Sequence, residues 1–213
     1  FQGHYDGGYW NTTSLSRWVI VQNVVPLLRE AGCTVLAHGC VGGGNDQRRF
    51  ERYTAHYAPD LTVFAPWRDP QARKAMPDRR AMARQIASAG LTCMPGNTAE
   101  HSIDSNLAGA SHEDADLEDL SSTALRVHRL MGVAPDRAPD QIESVTVGIE
   151  HGRPVSLDGH HLPPEELLEL ANTIGGRNGL GLTDVVEHRV NGTKCRGVYE
   201  APGMELLSHA VRT

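Results

Sequence analysis

The chain has 213 residues, of which 39% are hydrophobic and 22% are charged, and its formal net charge is −6 at pH 7. This length fits one large globular domain or two small ones, and the acidic balance argues against a dedicated nucleic-acid surface. No apolar run approaches the roughly 18 residues that a membrane-spanning helix needs. We therefore expect neither a nucleic-acid partner nor a membrane partner.

The chain contains four cysteines that lie far apart: Cys33, Cys40, Cys93 and Cys195. Because they form no C-x-x-C pair and show no zinc-ligand spacing, we expect reduced thiols and a cytoplasmic location. His160 and His161 stand in "LDGHHLPP", where a solvated turn is favoured over a metal site. We therefore expect no protein metal site.

The first 90 residues alternate helical and strand patterns. In chain order, hydrophobic spacing predicts a helix over 14–31, a strand over 33–37, a helix over 46–56, a strand over 61–67 and a helical stretch ending at 90. Pro26 is expected to kink or split the first helix, and Pro77 to break the last one. Strands that alternate with helices are typical of a parallel α/β layer.

The pattern changes after Gly90. Residues 101–120 are polar, small and acidic, and we expect loops there. The remainder predicts strands over 144–150 and 153–157 joined by a turn, a helix over 163–176, a glycine-rich loop over 176–184, a hairpin on Asn191-Gly192, and a helix from Met204. We place the boundary near residues 91–96, which gives an α/β domain over 1–92 and an α+β domain over 93–213.

Polar residues cluster at four places that we expect to be loops or a hairpin: Asn45/Asp46/Arg49, Ser102/Asp104, Ser111/His112/Glu113, and Glu187 with Tyr199. Each of these clusters also has a purely structural interpretation. Ser102 and Asp104 suit turns, and Glu113 is one of several solvated acids. Glu187 suits an exposed cross-strand pair with Arg196. No motif indicates an activated nucleophile, because G-x-S-x-G is absent.

The stretch "HGCVGGGNDQRRF" (38–50) places three glycines after a predicted strand and before a predicted helix. Such a loop can hold an anion, because backbone N–H groups at a helix start point toward it. It is not a Walker A loop, since no Lys-Ser or Lys-Thr follows the last glycine. A glycine turn with a capping Asn-Asp remains the alternative.

Taken together, these stretches resemble the argininosuccinate synthase family, and in particular its longer bacterial subtype. Six motifs in the same order carry the resemblance: "YWNTTSLSR" (9–17), "HGCVGGGNDQRRF" (38–50), "APWRD" (65–69), "SIDSNLAGASHE" (102–113), "IGGRNGLGLTD" (174–184) and "VEHRVNGTKCRGVYEAPGMELL" (186–207). They span nearly the whole chain.

The resemblance implies a remnant of a parallel-sheet, adenine nucleotide-binding α/β domain followed by a synthetase domain, usually assembled as a homotetramer. It implies an ATP-dependent C–N ligase of arginine biosynthesis. This ligase joins citrulline to aspartate through a citrullyl-adenylate and gives argininosuccinate, AMP and pyrophosphate. Mg²⁺ would accompany the ATP. Such a reaction depends on positioning and charge compensation and needs no protein nucleophile.

The resemblance also assigns roles to particular residues. Those at citrulline-contact positions are Tyr9, Asn45, Arg49, Ser102, Ser111, Glu113, Glu187 and Tyr199. Asn45 and Asp46 stand where aspartate is contacted, and together with Arg49 they form the expected catalytic set. Those on the nucleotide side are Gly39, Val41, Asp46 and Asp104. Arg49 would pair with the citrulline carboxylate, and the acids would suit its ammonium.

The chain also departs from the family pattern. It lacks the S-G-G-L-D-T-S ATP loop and stops before the family's C-terminal oligomerisation segment. We therefore expect a central part of a subunit that is inactive alone and needs a missing N-terminal half or homo-oligomer assembly. Val41 replaces the usual Thr and Gly43 the usual Lys, which alters the aspartate and phosphate side. Two alternatives stay open: a diverged paralogue that uses another amine, and a non-catalytic partner subunit or fragment.

Overall fold

The computed structural model describes residues 3–91, 101–189 and 191–212. The chain forms two compact units. The loop unit comprises Ser14–Ser102 and His188–Lys194, and the sheet unit comprises Phe1–Thr13, Ile103–Glu187 and Cys195–Thr213. The boundary that the sequence predicts between residues 92 and 93 lies outside the described residues.

The loop unit combines a pair of parallel strands with helices, as the alternating sequence pattern predicts. In chain order the elements are α1 (Thr12–Glu30, whose first two residues belong to the sheet unit), β1 (Val35–Ala37), α2 (Asn45–Tyr57), β2 (Thr62–Phe64), α3 (Pro70–Ala75) and α4 (Arg79–Ser88). Leu36 of β1 pairs with Val63 of β2 in parallel register. Both strands are shorter than predicted.

Helix α1 runs without interruption through Pro26, so the helix is not split at this proline, whereas a kink there stays a prediction. Val21 and Val25 are fully or almost fully buried, and they form a hydrophobic cluster with Ala58. Proline in a helix interior removes one backbone hydrogen bond and crowds the preceding turn. The buried face of α1 stabilises the helix enough to outweigh that loss.

Pro77 separates α3 from α4, as the sequence predicts. Each of the two helices starts at an aspartate cap. Asp69 Oδ1 accepts a hydrogen bond from the Ala72 N–H at 2.7 Å, and Asp78 Oδ1 accepts one from the Ala81 N–H at 2.7 Å. Capping of this kind satisfies an N–H group that has no partner within its own helix.

The sheet unit contains two antiparallel sheets and a pair of packed helices. Apart from a few end residues, it holds β3 (His101–Asn106), β4 (Gly109–Asp114), β5 (Val147–Glu150), β6 (Arg153–Leu157), β7 (His160–His161), α5 (Pro164–Arg177), β8 (Leu182–His188), β9 (Lys194–Glu200) and α6 (Pro202–Arg212). One sheet has the strand order β3-β4-β9-β8, and the other has the order β5-β6-β7. The elements predicted after residue 143 agree with this arrangement except at β7, which the sequence does not predict, and at the start of β8, which lies within the predicted glycine-rich loop.

Strands β3 and β4 form a hairpin where the sequence predicts loops over residues 101–120, so that prediction is wrong there. Ala110 and His112 are buried, whereas Ser111 between them is partly exposed. The alternation that defines a strand is therefore present, but it is carried by small and polar side chains rather than by large apolar ones. His160 and His161 are also corrected, since they form β7 and not a turn.

The core of the sheet unit lies between β6 and helix α5. Its fully or almost fully buried residues are Leu157, Leu167, Ala171 and Ile174. Close packing of α5 on α6 depends on Gly175, because a Cβ there would lie 2.7 Å from the carbonyl oxygen of Pro202. Gly175 therefore serves the packing of α5 on α6, whereas a Cβ on its neighbour Gly176 would meet the backbone of Met131 and Gly132. In the described part of the chain, no helix is both long and apolar enough to cross a membrane.

Glu200, the last residue of β9, is 1% exposed and fully hydrogen-bonded. Its Oε1 accepts from His112 Nε2 at 2.7 Å and from the Leu130 N–H at 2.9 Å. Its Oε2 accepts from Arg129 Nε at 2.9 Å and from the Met131 N–H at 3.2 Å. Burial favours the neutral carboxyl, but these hydrogen bonds outweigh it and lower the pKa of Glu200 from 4.5 to about 2.

We expect Glu200→Gln to lower the free energy of unfolding at pH 7 by about 3–5 kcal/mol, because it leaves the Arg129 guanidinium buried without a counter-charge. Urea denaturation followed by circular dichroism measures this change. The matched control is Glu150→Gln, which alters an exposed carboxylate at the end of β5 and should change the value by less than about 0.5 kcal/mol. Equal effects of the two substitutions would contradict the role of Glu200.

The same carboxylate predicts how stability depends on pH. Since the folded pKa of Glu200 is about 2 and its ordinary value is 4.5, the stabilisation is complete above pH 4.5 and is lost as the pH falls toward 2. The wild-type chain should therefore lose unfolding free energy across this range more steeply than Glu200→Gln. Parallel pH profiles would show that the carboxylate is not ionised in this way.

Candidate functional site

A buried tyrosine–glutamate cluster (Tyr9, Glu187 and Tyr199) lies in the sheet unit. Tyr199 Oη donates a hydrogen bond to Glu187 Oε1 at 2.8 Å, and the ring of Tyr9 stacks on that of Tyr199 with centroids 3.7 Å apart. Each of the three residues is at least nine-tenths buried. The structure thus brings together three residues that the sequence assigns to citrulline.

The cluster follows from the alternation of side chains along β9. Cys195, Gly197 and Tyr199 lie on one face of the strand, and β8, which carries Glu187, is its neighbour in the sheet. A Cβ on Gly197 would lie 2.5 Å from Tyr199 Oη, so the absence of a side chain there makes room for the tyrosine ring. Cys195 Sγ lies 3.8 Å from Glu187 Oε1.

Arg196 lies on the other face of β9 and pairs with Asp184, so the alternative of an exposed Glu187–Arg196 pair is wrong. Its Nε and Nη2 atoms each donate to Asp184 at 2.8 Å. Its Nη1 donates to the carbonyl oxygens of Leu117 at 3.2 Å and Asp119 at 3.0 Å. Arg196 therefore stabilises the fold, and Glu187 contacts Tyr199 instead.

The electrostatics of the cluster point to a ligand with an N–H donor. Burial raises the pKa of the Tyr199 hydroxyl far above its usual range, and Tyr9 and Glu187 raise it further, so this group remains a proton donor. Glu187 is 3% exposed. Its Oε2 atom is buried and has no hydrogen-bond partner among the described residues. A buried carboxylate oxygen without a donor is costly, and an ammonium group would satisfy it.

Strand β4 places Ser111 beside this cluster. Ser111 pairs with Tyr199 across the β4–β9 ladder, and its Oγ donates to the Asp104 carbonyl oxygen at 3.4 Å. Glu113 follows two residues later on the same face and is exposed. Ser102 and Asp104 are partly buried residues of β3. The expectation that these four residues occupy loops is therefore wrong.

In the loop unit, the glycine loop (His38–Gly44) connects β1 to α2. Several of its N–H groups donate within the chain: Cys40 to His38 Nδ1 at 3.2 Å, Gly43 to Gln47 Oε1 at 2.8 Å and Gly44 to Val41 O at 3.2 Å. These N–H groups are not available to an anion, so fewer backbone donors of the loop remain for the anion site that the sequence predicts. Gly39 and Val41 are exposed, and Asn45 begins α2.

Asp46, in the first turn of α2, is held by two arginines. Its Oδ1 accepts from Arg49 Nη1 at 2.9 Å, and its Oδ2 accepts from Arg17 Nη2 at 2.8 Å. Both arginine side chains are mostly buried, with 14% and 13% exposure for Arg17 and Arg49. Sequence reasoning gave Arg17 no role. Its place at the end of the motif "YWNTTSLSR" is the signal that could have identified it.

This part of the loop unit fits an anion better than a metal ion. Arg17 and Arg49 place positive charge at the start of α2, the helix end that also favours negative ligands. Both oxygens of Asp46 are already engaged. Within residues 3–91, 101–189 and 191–212, no group of His, Cys, Asp or Glu side chains could hold a metal ion. Phosphate or carboxylate groups are therefore the ligands that the residues suit.

The fold and these two clusters define a chain with an anion-favouring loop unit and a sheet unit that presents a buried carboxylate. Comparison with protein families finds a match for each half of the chain. The Arginosuccinate synthase N-terminal HUP domain matches residues 1–86, and the Arginosuccinate synthase C-terminal domain matches residues 101–213. The chain belongs to the argininosuccinate synthase family.

Curated relatives named argininosuccinate synthase show the same similarity. The relative from Pelotomaculum thermopropionicum is 42% identical over 209 residues, which covers 98% of this chain and 51% of the relative. One from Desulfitobacterium hafniense is 40% identical, covering 95% and 50%. One from Rhodopirellula baltica is 37% identical, covering 99% and 52%. The chain thus spans about half the length of the curated relatives it matches.

We expect Gly197→Ala to displace the Tyr199 ring and break its hydrogen bond to Glu187, with a loss of about 1–3 kcal/mol in unfolding free energy. Urea denaturation measures this loss. In a Tyr199→Ala background the same substitution should cost less than about 0.5 kcal/mol, because the ring atoms that the new Cβ meets are gone. Additive losses in the double variant would contradict this account of Gly197.

Proposed function

We propose that this chain supplies the citrulline-binding part of an ATP-dependent ligase that condenses citrulline with aspartate. The observation that carries the proposal is Glu187 Oε2, a buried carboxylate oxygen without a hydrogen-bond partner among the described residues. The α-ammonium group of an amino acid matches it in charge and donates hydrogen bonds. Membership of the argininosuccinate synthase family supports the reaction.

The proposed reaction has two steps. The ureido oxygen of citrulline attacks the α-phosphate of ATP, pyrophosphate leaves, and a citrullyl-adenylate forms. The amine of aspartate then attacks the ureido carbon, AMP leaves, and argininosuccinate is formed. Both attacking groups belong to substrates, so the protein contributes positioning and charge compensation. The arginines and carboxylates of the two clusters are groups of this kind.

The residue assignments remain proposals. We assign citrulline to Tyr9, Asn45, Arg49, Ser102, Ser111, Glu113, Glu187 and Tyr199. We assign aspartate to Asn45 and Asp46, and ATP with its Mg²⁺ to Gly39, Val41, Asp46 and Asp104. Arg49 retains its proposed pairing with a substrate carboxylate, which requires that a ligand compete with or join its contact to Asp46.

The wider organisation is proposed on family grounds. Residues 1–92 would be part of the nucleotide-binding domain and residues 93–213 part of the synthetase domain. The working protein would be a homo-oligomer. We also propose a cytoplasmic location, because the cysteine spacing in the sequence predicts reduced thiols.

Binding is the appropriate first test, because the chain spans only half of its relatives. We expect calorimetry to show citrulline binding to the wild-type chain, and Glu187→Gln to weaken it about 10- to 100-fold through loss of the charge-assisted hydrogen bond to the ammonium. Glu150→Gln is the control and should bind like the wild type. Unchanged citrulline affinity in Glu187→Gln, with the fold intact by circular dichroism, would overturn the assignment.

A second candidate is a paralogue that uses another amine, and Val41 favours it. This side chain is 57% exposed in the glycine loop, where the resemblance expects a threonine hydroxyl. If aspartate is the second substrate, Val41→Thr should tighten aspartate binding about 5- to 10-fold by adding one hydrogen bond. Val41→Ala should leave the affinity nearly unchanged. Aspartate binding that stays undetectable in Val41→Thr would favour the other amine.

A further inference from the structure

His38 stands at the carboxyl end of β1, and its ring is held by several contacts. Its backbone N–H donates to the Phe64 carbonyl oxygen at 3.1 Å, which extends the parallel ladder. Its imidazole stacks on Phe50 of α2 with centroids 5.1 Å apart. Its Nδ1 accepts a hydrogen bond from the Cys40 N–H at 3.2 Å. The residue is 8% exposed, so the ring links strand, loop and helix.

The bond from Cys40 favours one protonation state of the ring. Nδ1 accepts a hydrogen bond only when it carries no proton, so this contact favours a neutral imidazole with its proton on Nε2, an atom that is buried without a hydrogen-bond partner among the described residues. Burial lowers the pKa of His38 and favours this form, while the charges of Glu51 and Asp46 on α2 act in the opposite direction. Arg17 of α1 pairs with Asp46 and offsets part of that charge.

The glycine loop is thus braced at both ends by side chains. Gln47, which is 4% exposed, accepts from the Gly43 N–H at 2.8 Å and does not titrate. His38 accepts from the Cys40 N–H and does titrate. Protonation of Nδ1 would turn that acceptor into a donor facing the Cys40 N–H. The first half of the loop would then lose its hydrogen bond to His38, whereas the bond from Gly43 to Gln47 would remain.

We propose that His38 is a positioning residue, which in its neutral form shapes the first half of the glycine loop through the Cys40 N–H and so controls how tightly the loop binds an anionic ligand. The effect on ligands rests on the proposed function, whereas the effect on loop shape does not. The residue acts through the backbone and needs no contact with substrate.

Two substitutions separate the roles of the ring. In His38→Asn, the amide oxygen reproduces the position of Nδ1 and keeps an acceptor near Cys40. In His38→Phe, the ring still stacks on Phe50 but no acceptor remains. If the shape of the stacked ring controls the loop, His38→Asn should disturb the loop more than His38→Phe does. If the hydrogen-bond acceptor controls it, His38→Phe should disturb the loop more.

The first experiment is NMR spectroscopy of the ligand-free chain. We expect the Cys40 amide signal of the wild type to shift with pH at the same midpoint as the His38 imidazole, and the Gly43 amide to remain unchanged. Amide exchange at Cys40 should be at least about 5-fold faster in His38→Phe and within about 2-fold of wild type in His38→Asn, as loss of one hydrogen bond implies. The proposal would be overturned if the Cys40 amide signal did not shift with pH and its exchange rate did not change in His38→Phe.

The second experiment is calorimetric titration with L-aspartate between pH 5 and 8, where its carboxylates stay ionised. We expect about 5- to 10-fold weaker binding in His38→Phe, less than about 3-fold in His38→Asn, and an affinity that falls with His38 protonation only in the wild type. Absence of aspartate binding throughout, with the expected NMR result, would reject the aspartate site, and only the effect of His38 on loop shape would stand. Equal affinity in His38→Phe and wild type would reject its control of ligand binding.

Discussion

Strand β9 is buried on both faces, and this constraint decides what each of its side chains can do. One face holds the scaffold: Arg196 pairs with Asp184, and Glu200 binds His112 together with the segment around Arg129. The other face holds Tyr199 and the buried carboxylate of its neighbour strand. Charge in such surroundings is costly where an oxygen or nitrogen lacks a partner. Among the described residues, two charged groups beside β9 have such an atom, Arg129 Nη1 and Glu187 Oε2. Arg129 is paired with Glu200 through Nε, whereas Glu187 Oε2 lies in the tyrosine–glutamate cluster, where we propose a ligand.

The sequence predicts the helices and strands well where large apolar side chains recur at helical or strand spacing. It predicts them less well elsewhere. The parallel strand pair, α5 and the hairpin of β8 and β9 follow from such patterns. The β3–β4 hairpin does not, because Ala110 and His112 supply its buried face and neither is a strong strand signal. Pro26 does not split α1, since burial of Val21 and Val25 outweighs the local cost of proline. Tertiary packing overrides local preference in both cases.

The predicted hairpin already grouped Glu187 with Tyr199, and the resemblance added the expectation that both contact citrulline. The structure joins the two side chains through a hydrogen bond, and their role toward citrulline stays a prediction. Spacing alone left Glu187 open to an exposed pairing. Arg17 and His38 were missed because their contacts depend on which backbone and side-chain groups the fold brings near them. A sequence names the chemical groups, but only coordinates show which hydrogen-bonding atoms remain without a partner.

If Glu187 receives the ammonium group of citrulline, as we propose, a crystal structure of the chain grown with citrulline should show the contact. We expect the α-ammonium nitrogen within about 3 Å of Glu187 Oε2, the ordinary distance of a charge-assisted hydrogen bond, with the Tyr199 hydroxyl still on Oε1. Citrulline bound elsewhere, or Oε2 bonded to a group of the chain itself, would overturn the assignment of Glu187.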